Sequence, residues 1–324
     1  MNAFADLDRK VAEIILLGAD DQVELDDLAK GSHASPEELR EAVDRLGRLG
    51  YPLTLYGRSI QREHCSLIDV KQLRTNTSRH RIAQKIEWRL HVDSTQEELR
   101  RLGQEVPDGT VLISESQSSG KGRMGRSWFS PLGGIWMSIL LKPSWPSAHQ
   151  VLTLAFAAAV RKAMLDVAGI RAGLKWPNDV IIGSRKVAGI LAEAEYDGAK
   201  VRWLVVGLGV NANIRPELLP HELRREATSL SQELGHEVER TQLTRRILEF
   251  VDRAYTRFES GCVSELVNDA KSACFTIGRM VKVTTMEGTF VGKALDLGVD
   301  GQLVVALKDG QKIPVYAADV VHLR

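Results

Sequence analysis

Gly120-Lys121-Gly122-Arg123-Met124-Gly125-Arg126-Ser127-Trp128 is the stretch that decides how this chain folds. Gly120, Gly122 and Gly125 fit the G-x-G-x-x-G spacing of a dinucleotide-binding turn. Such a turn needs a strand before it, a helix opening at the glycines and an acid about 20 residues further on. Residues 109–114 (GTVLIS) read as the strand, but no helix follows. Pro131, Gly133 and Gly134 mark a turn, and residues 135–141 (IWMSILL) read as a second strand. No acid lies between Glu115 and Asp166. The context therefore excludes the dinucleotide fingerprint, and a dehydrogenase with it. A glycine loop between strands that carries Lys121, Arg123 and Arg126 suits an anion differently. Glycines let the backbone approach a ligand, and the cations donate to carboxylate or phosphate. A solvated basic hairpin is the alternative reading of this loop alone.

Two further stretches bear on that choice. Residues 175–193 (KWPNDVIIGSRKVAGILAE) read as a hairpin around Gly183-Ser184, with Lys186 opening the second strand beside Ala188 and Gly189. On its own, Lys186 is either a site cation or an edge-strand charge. Residues 203–213 (WLVVGLGVNAN) read as a buried strand ending at Asn211 and Asn213. Its glycines, Gly207 and Gly209, mark either a close approach to a ligand or a bulge.

Taken in order, the three stretches closely resemble the catalytic domain of the biotin–protein ligases. The family pattern runs G-R-G-R-x-G-R-x-W, K-W-P-N-D, R-K-x-x-G-I-L and G-x-G-x-N, and this chain departs from it at Lys121, where the first arginine stands. The resemblance spans residues 85–324. With the N-terminal segment included, the chain resembles the bifunctional members that also repress biotin synthesis genes. The expected fold is an α/β (α+β) catalytic domain of the biotin/lipoate ligase type over residues 86–270. An SH3-like barrel over 271–324 is expected to follow it, where short strands alternate with turns such as Met286-Glu287-Gly288 and Asp300-Gly301.

Composition agrees with a soluble, multi-domain protein. A chain of 324 residues, 44% hydrophobic and 26% charged, is long enough for two or three cores. Residues 1–8 carry acids and no apolar core of a signal peptide, and the apolar run 151–160 is too short to span a bilayer. Cys65, Cys262 and Cys274 are scattered without metal spacing, so a reduced, cytoplasmic setting is expected.

Residues 1–68 read as a winged helix-turn-helix, with helices over 6–17, 24–30 and 35–49 and a hairpin over 53–61. Ser35-Pro36-Glu37-Glu38 opens the third helix with a cap, a proline at the first position and acids against the dipole. Charge argues against ordinary DNA binding: residues 1–65 hold eight Lys/Arg and thirteen Asp/Glu, a net −5. Arg45, Arg48, Arg58 and Arg62 are the candidates for a basic face. Two readings stand side by side, operator-DNA binding and a domain kept for packing, dimer control or another partner. Residues 69–85, with Arg74-Thr75-Asn76-Thr77-Ser78-Arg79-His80-Arg81 at their centre, read as a polar connector, either a mobile linker or a helix tail, whose basic character suits contact with nucleic acid as well.

The resemblance also implies an activity. Biotin and ATP, with Mg2+, would give biotinyl-adenylate and pyrophosphate, and a lysine of a biotin carrier domain of the acetyl-CoA carboxylase type would then take the biotin. Biotin's carboxylate is already ionised at neutral pH, so no general base is required, only fixed cations. The implied biotin contacts are Ser94, Thr95, Gln96, Gln117, Lys121, Gly122, Arg123 and Lys186, with Gln96 standing where Asn is common. Arg123, Arg126, Trp128, Asn178, Lys186 and Asn211 are the implied nucleotide contacts, and Trp128 is either the adenine-facing ring or a packing residue. Asp179 is either a magnesium or lysine-orienting acid or a turn former. A homodimer is what the family suggests. A lipoate or octanoate ligase and a biotin-sensing regulator without efficient transfer are the competing functions.

Overall fold

The computed structural model describes residues 6–18, 21–63, 66–75, 80–144, 148–198, 200–285 and 288–323. Cys65, residues 76–79 of the connector and the Met286-Glu287 part of one expected turn lie outside them.

The N-terminal unit is built from α1 (Asp6–Leu17), β1 (Gln22–Glu24), α2 (Leu25–Ser32), α3 (Pro36–Arg48), β2 (Leu53–Tyr56) and β3 (Ser59–Arg62). Ser35 caps α3 as its sequence suggests: Glu38 N–H donates to Ser35 Oγ at 3.3 Å, and Ser35 N–H donates back to the Glu38 carboxylate at 2.8 Å. Leu39, Ala42, Val43 and Leu46, spaced at helical intervals, bury one face of α3 against α1 and α2. The wing gains a strand that periodicity does not reveal. β1 is only three residues long and pairs antiparallel with β3, giving the order β1-β3-β2.

The connector is no loose linker. Asp69 caps a short helix, α4 (Val70–Arg74), and Ile68, Leu73, Ile82 and Ala83 are buried in the main core. Four apolar residues scattered through a polar stretch leave no period to read, so only the tertiary partner reveals the helix.

The central sheet runs β4 (Ile86–Val92), β5 (Thr110–Gln117), β6 (Ile135–Leu141), β7 (Gly173–Lys175), β8 (Asp179–Ile182), β9 (Arg185–Asp197) and β10 (Lys200–Val210), in the spatial order β4-β5-β6-β10-β9-β8-β7. Only the β4–β5 pair is parallel. Its crossover contains α5 (Thr95–Leu102). All of β6 is buried, in keeping with a sequence that is apolar except at Ser138. The apolar α6 (Ala148–Ala168) packs against α8 (Arg240–Glu259) and α9 (Val263–Lys271), and α7 (Leu230–Leu234) precedes them.

The C-terminal unit follows as β11 (Met280–Thr284), β12 (Thr289–Leu297), β13 (Leu303–Ala306), β14 (Lys312–Val315) and β15 (Asp319–His322), all antiparallel in the order β14-β13-β12-β11-β15. It shares the main core with the central domain, contributing Val281, Val283, Leu303 and Val305 among others. Trp176 pins the two together, its N–H donating to Thr276 Oγ1 at 3.0 Å and its indole Nε1–H to Gly301 O at 2.9 Å. Among the described residues no helix is long and apolar enough to cross a membrane.

One buried ion pair joins most of these pieces. Glu115 on β5 is fully buried and receives Arg240 of α8 at 2.8 Å, Ile68 N–H at 2.7 Å and Trp88 Nε1–H at 3.1 Å. Arg240 donates onward to Gly134 O at 2.8 Å and to Ser66 O. Removing one partner strands the other charge in the interior. Glu115→Ala is therefore expected to lower stability by about 3–5 kcal/mol, read as a fall in the denaturant midpoint; a shift within experimental error would refute that role.

Candidate active site

The exposed face of the central sheet, the 120–134 loop, residues 219–227 and the start of β15 enclose one cavity of about 740 Å3. Every candidate ligand residue of the central domain lines it: Ser94, Thr95, Gln96, Gln117, Lys121, Gly122, Arg123, Arg126, Trp128, Asn178, Asp179, Lys186 and Asn211.

One end is neutral and hydrogen-bonding. Ser94 caps α5, accepting from Glu97 N–H. Thr95 presents N–H and Oγ1 to Gln117 Oε1 at 2.9 and 3.1 Å and shares a hydrogen bond with Ser138 at 2.7 Å. Gln117 Nε2 in turn donates to Ser130 Oγ at 2.8 Å, so its amide orientation is fixed from both sides. The Gln96 amide reaches across β9 and β10, donating to Val205 O at 3.1 Å and Glu193 Oε2 at 3.0 Å, while its Oε1 is buried without a partner.

The strand glycines make room for two side chains. A Cβ at Gly209 would stand 2.7 Å from Trp128 Nε1, one at Gly189 would stand 2.9 Å from the same indole, and one at Gly207 would collide with Gln96. The room they leave is filled by Trp128 and Gln96. Trp128 lies edge-on to Trp136, with Lys186 Nζ 4.7 Å from its ring centre.

At the cationic end each lysine or arginine has its own arrangement. The Lys121 ammonium meets Glu97, and that hydrogen bond holds the Glu97 carboxyl below its ordinary range. Arg126 donates to Asp319 at 2.7 Å. Lys186 is in ion contact with Asp179 Oδ1, although the approach lacks hydrogen-bond alignment. Arg123 instead uses neutral acceptors, Asn178 Oδ1 at 3.4 Å and Ala318 O at 3.1 Å, and burial lowers its pKa against the pull of Asp319 and Asp179. The loop that carries these cations is folded on itself. Gly122 N–H donates to Arg126 O at 2.7 Å, and Met124 (φ 55°) and Gly125 (φ 71°) adopt left-handed backbone.

Asn178 Nδ2 donates to Ile190 O and Asn211 Nδ2 to Thr228 O, so both amides also brace the walls. Sequence reading missed two walls altogether. Leu219, Leu223, Arg225, Glu226 and Ala227 close one side, and Asp319 to His322 of β15 close another. Neither stretch carries a spacing that marks a ligand; Lys186 N–H donating to Glu226 O at 2.7 Å, a bridge between Lys186 and Ala227, and the packing of Leu219 and Ala227 with Trp128 tie the first to the motifs. Burial, with Lys175 and Arg279 nearby, pushes His322 down to about 4, so it faces the cavity uncharged at neutral pH.

The candidate DNA-binding arginines lie away from the cavity and are paired within the N-terminal unit. Arg45 meets the buried Asp8 at 2.8 Å, Arg48 meets Asp44, and Arg58 meets Asp26 at 2.7 Å. Arg62 meets Asp21 and caps the carbonyls of Ile15, Leu16 and Gly18 at the end of α1.

A sheet floor with a folded cationic loop above it and a small β unit at the rim is the frame of a ligase. Residues 89–211 match the biotin/lipoate A/B protein ligase family, and residues 276–323 match the biotin protein ligase C-terminal domain. The bifunctional ligase/repressor BirA of Bacillus subtilis is 35% identical over 232 residues, 71% of each chain. The biotin–[acetyl-CoA-carboxylase] ligase of Mycobacterium tuberculosis is 32% identical over 224 residues, 67% of this chain and 80% of its own. The structure of the Aquifex aeolicus biotin protein ligase in complex with biotin and ATP superposes with a TM-score of 0.66 at 30% identity, covering 74% of this chain and 99% of its own. This chain belongs to the biotin/lipoate A/B protein ligase family.

Because Gly209 has no room for a Cβ, Gly209→Ala is expected to displace the indole. The check is the tryptophan emission spectrum differenced against Trp128→Phe in each background. An unchanged Trp128 component would show that the glycine is incidental.

Proposed function

We propose that the chain is a biotin–protein ligase that makes biotinyl-adenylate from biotin and ATP and passes the biotin to a lysine of a carrier domain. The observation that carries this reading is the cavity's division of labour. A neutral end with an oriented Gln117, Thr95 and Ser94 suits a ureido ring, and a cationic end with Lys121, Arg123, Arg126 and Lys186 suits a carboxylate and a phosphate.

In the first step a carboxylate oxygen attacks the α-phosphorus, a new O–P bond forms and the bond to the β-phosphate oxygen breaks, releasing pyrophosphate. Arg123 and Lys186 stabilise the charge that builds on the phosphoryl oxygens. Trp128 offers its face beyond Lys186 for the adenine. In the second step the lysine nitrogen attacks the acyl carbon, AMP leaves and the amine proton passes to solvent; Asp179 orients the incoming amine. Among the described residues no cluster of three or more His, Cys, Asp or Glu is placed to hold a metal. In this reading magnesium enters on the nucleotide, beside Asp179 and its partner Lys186.

The operator-binding role is a second reading, favoured by the three helices and wing and by relatives named ligase/repressor. Phosphates would have to displace acids already paired with Arg45, Arg48 and Arg58. A gel shift with a biotin operator at two salt concentrations tests it: a salt-dependent specific shift supports repression, and no shift leaves the enzyme alone.

Incubation with labelled biotin, MgATP and a lysine-bearing carrier domain tests the ligase, with label on the carrier as the expected result and no label with any carrier as the refutation. Lys186→Ala is expected to stop pyrophosphate release in a folded protein. Arg123→Gly is expected to slow adenylation by about 10²–10³-fold and to leak adenylate from the cavity; adenylate retention equal to wild type would count against the loop as a shield.

A further inference from the structure

The turn that leaves α3 touches three of the segments that shape the cavity's walls. Leu49 O accepts from Leu132 N–H at 3.0 Å, in the loop that carries Trp128. Gly50 (φ 85°) lies so close to Leu218 that a Cβ would stand 2.8 Å from Leu218 Cδ1, and Leu219 is already a wall residue. Tyr51 is 1% exposed, and its hydroxyl donates to Leu90 O at 3.3 Å and shares a 2.6 Å hydrogen bond with Ser116 Oγ. Ser116 immediately precedes Gln117, whose amide holds Thr95. Three consecutive residues of the N-terminal unit thus reach the end of β5, the 126–134 loop and the 215–228 loop at once.

We propose that Leu49-Gly50-Tyr51 is a positioning segment for the ligand cavity, and that Tyr51, through Ser116, fixes the Gln117 end at which biotin is recognised. This rests on the ligase reading above. The geometry has a physical consequence. β5 ends at Gln117, where the strand must turn, and a side chain at a strand end keeps its place only if the backbone before it is held. The Tyr51 hydroxyl meets Ser116 one residue earlier, in a buried setting where a lost partner is not replaced by water. His91 Nδ1 braces the same Ser116 Oγ at 2.8 Å from β4, so the hydroxyl sits between two elements rather than on one. The N-terminal unit therefore serves the reaction whether or not it meets DNA.

The test is direct titration of biotin into the full-length wild type, Tyr51→Phe, Ser116→Ala and the double variant, with melting temperatures measured alongside. Loss of one such buried hydrogen bond is expected to raise the biotin Kd by about 2- to 12-fold in Tyr51→Phe. The pyrophosphate-release rate at saturating biotin should be retained. The double variant should be weaker by less than the product of the single effects, because both remove the same contact. Tyr255→Phe, whose hydroxyl meets Asp108 at 3.1 Å away from the cavity, should lower the melting temperature and leave Kd alone. Wild-type affinity in Tyr51→Phe, or single effects that multiply independently, would overturn the inference while the ligase stands. No biotin binding by wild type would overturn the ligase reading and this inference together.

Discussion

The Glu115–Arg240 pair is the constraint on which the rest of the structure depends. It lies under β5, two residues before Gln117, and its hydrogen bonds reach the end of the wing at Ser66 and Ile68, β4 at Trp88, the cavity loop at Gly134 and the start of α8. A buried carboxylate and guanidinium hold only when each remaining polar position is satisfied, and here backbone groups from otherwise separate segments supply the partners. Sequence that would otherwise be a tether becomes part of the core. The wing, the sheet and the helical layer are thereby fixed relative to the loop that carries the site cations.

The same logic of local neutralisation runs through the cavity. Lys121, Arg126 and Lys186 face Glu97, Asp319 and Asp179, while Arg123 alone of the four is held by the neutral oxygens of Asn178 and Ala318. Surface pairs such as Lys121–Glu97 and Arg126–Asp319 contribute little to stability, so they keep the loop compact without locking it. An entering dianion competes for those cations at modest cost. Arg123, partly desolvated and without a carboxylate to displace, is the cation best prepared for charge that develops during reaction.

Much of this was legible in the sequence, for identifiable reasons. The 120–128 loop, the 175–193 hairpin and the 203–213 strand are short-range patterns, so glycine spacing, alternation and turn residues revealed them without tertiary knowledge. Ser35 announced a helix start by the same local chemistry. β1 escaped because three residues carry no period, and the helix at Val70–Arg74 because its burial depends on partners far along the chain. Asp319 and residues 219–227 escaped for a related reason, since a wall residue without a motif is recognisable only once the sheet brings it round. The glycines of β10 were visible, but their purpose was not. Gly209 accommodates Trp128, 81 positions before it, and Gly207 accommodates Gln96.

Arg45, Arg48, Arg58 and Arg62 teach a complementary lesson. Counting them suggests a basic face; Arg45 and Arg62 meet Asp8 and Asp21 within the unit, while Arg48–Asp44 and Arg58–Asp26 are exposed pairs that a phosphate displaces at small cost. The chain's central chemistry, on the function proposed, lies in the cavity, as activation of biotin's carboxylate by fixed charge. Isotope exchange between labelled pyrophosphate and ATP tests that claim most directly. The expected result is exchange that requires biotin and stops when biotin is withheld. Exchange that ignores biotin but follows octanoate or lipoate would contradict it.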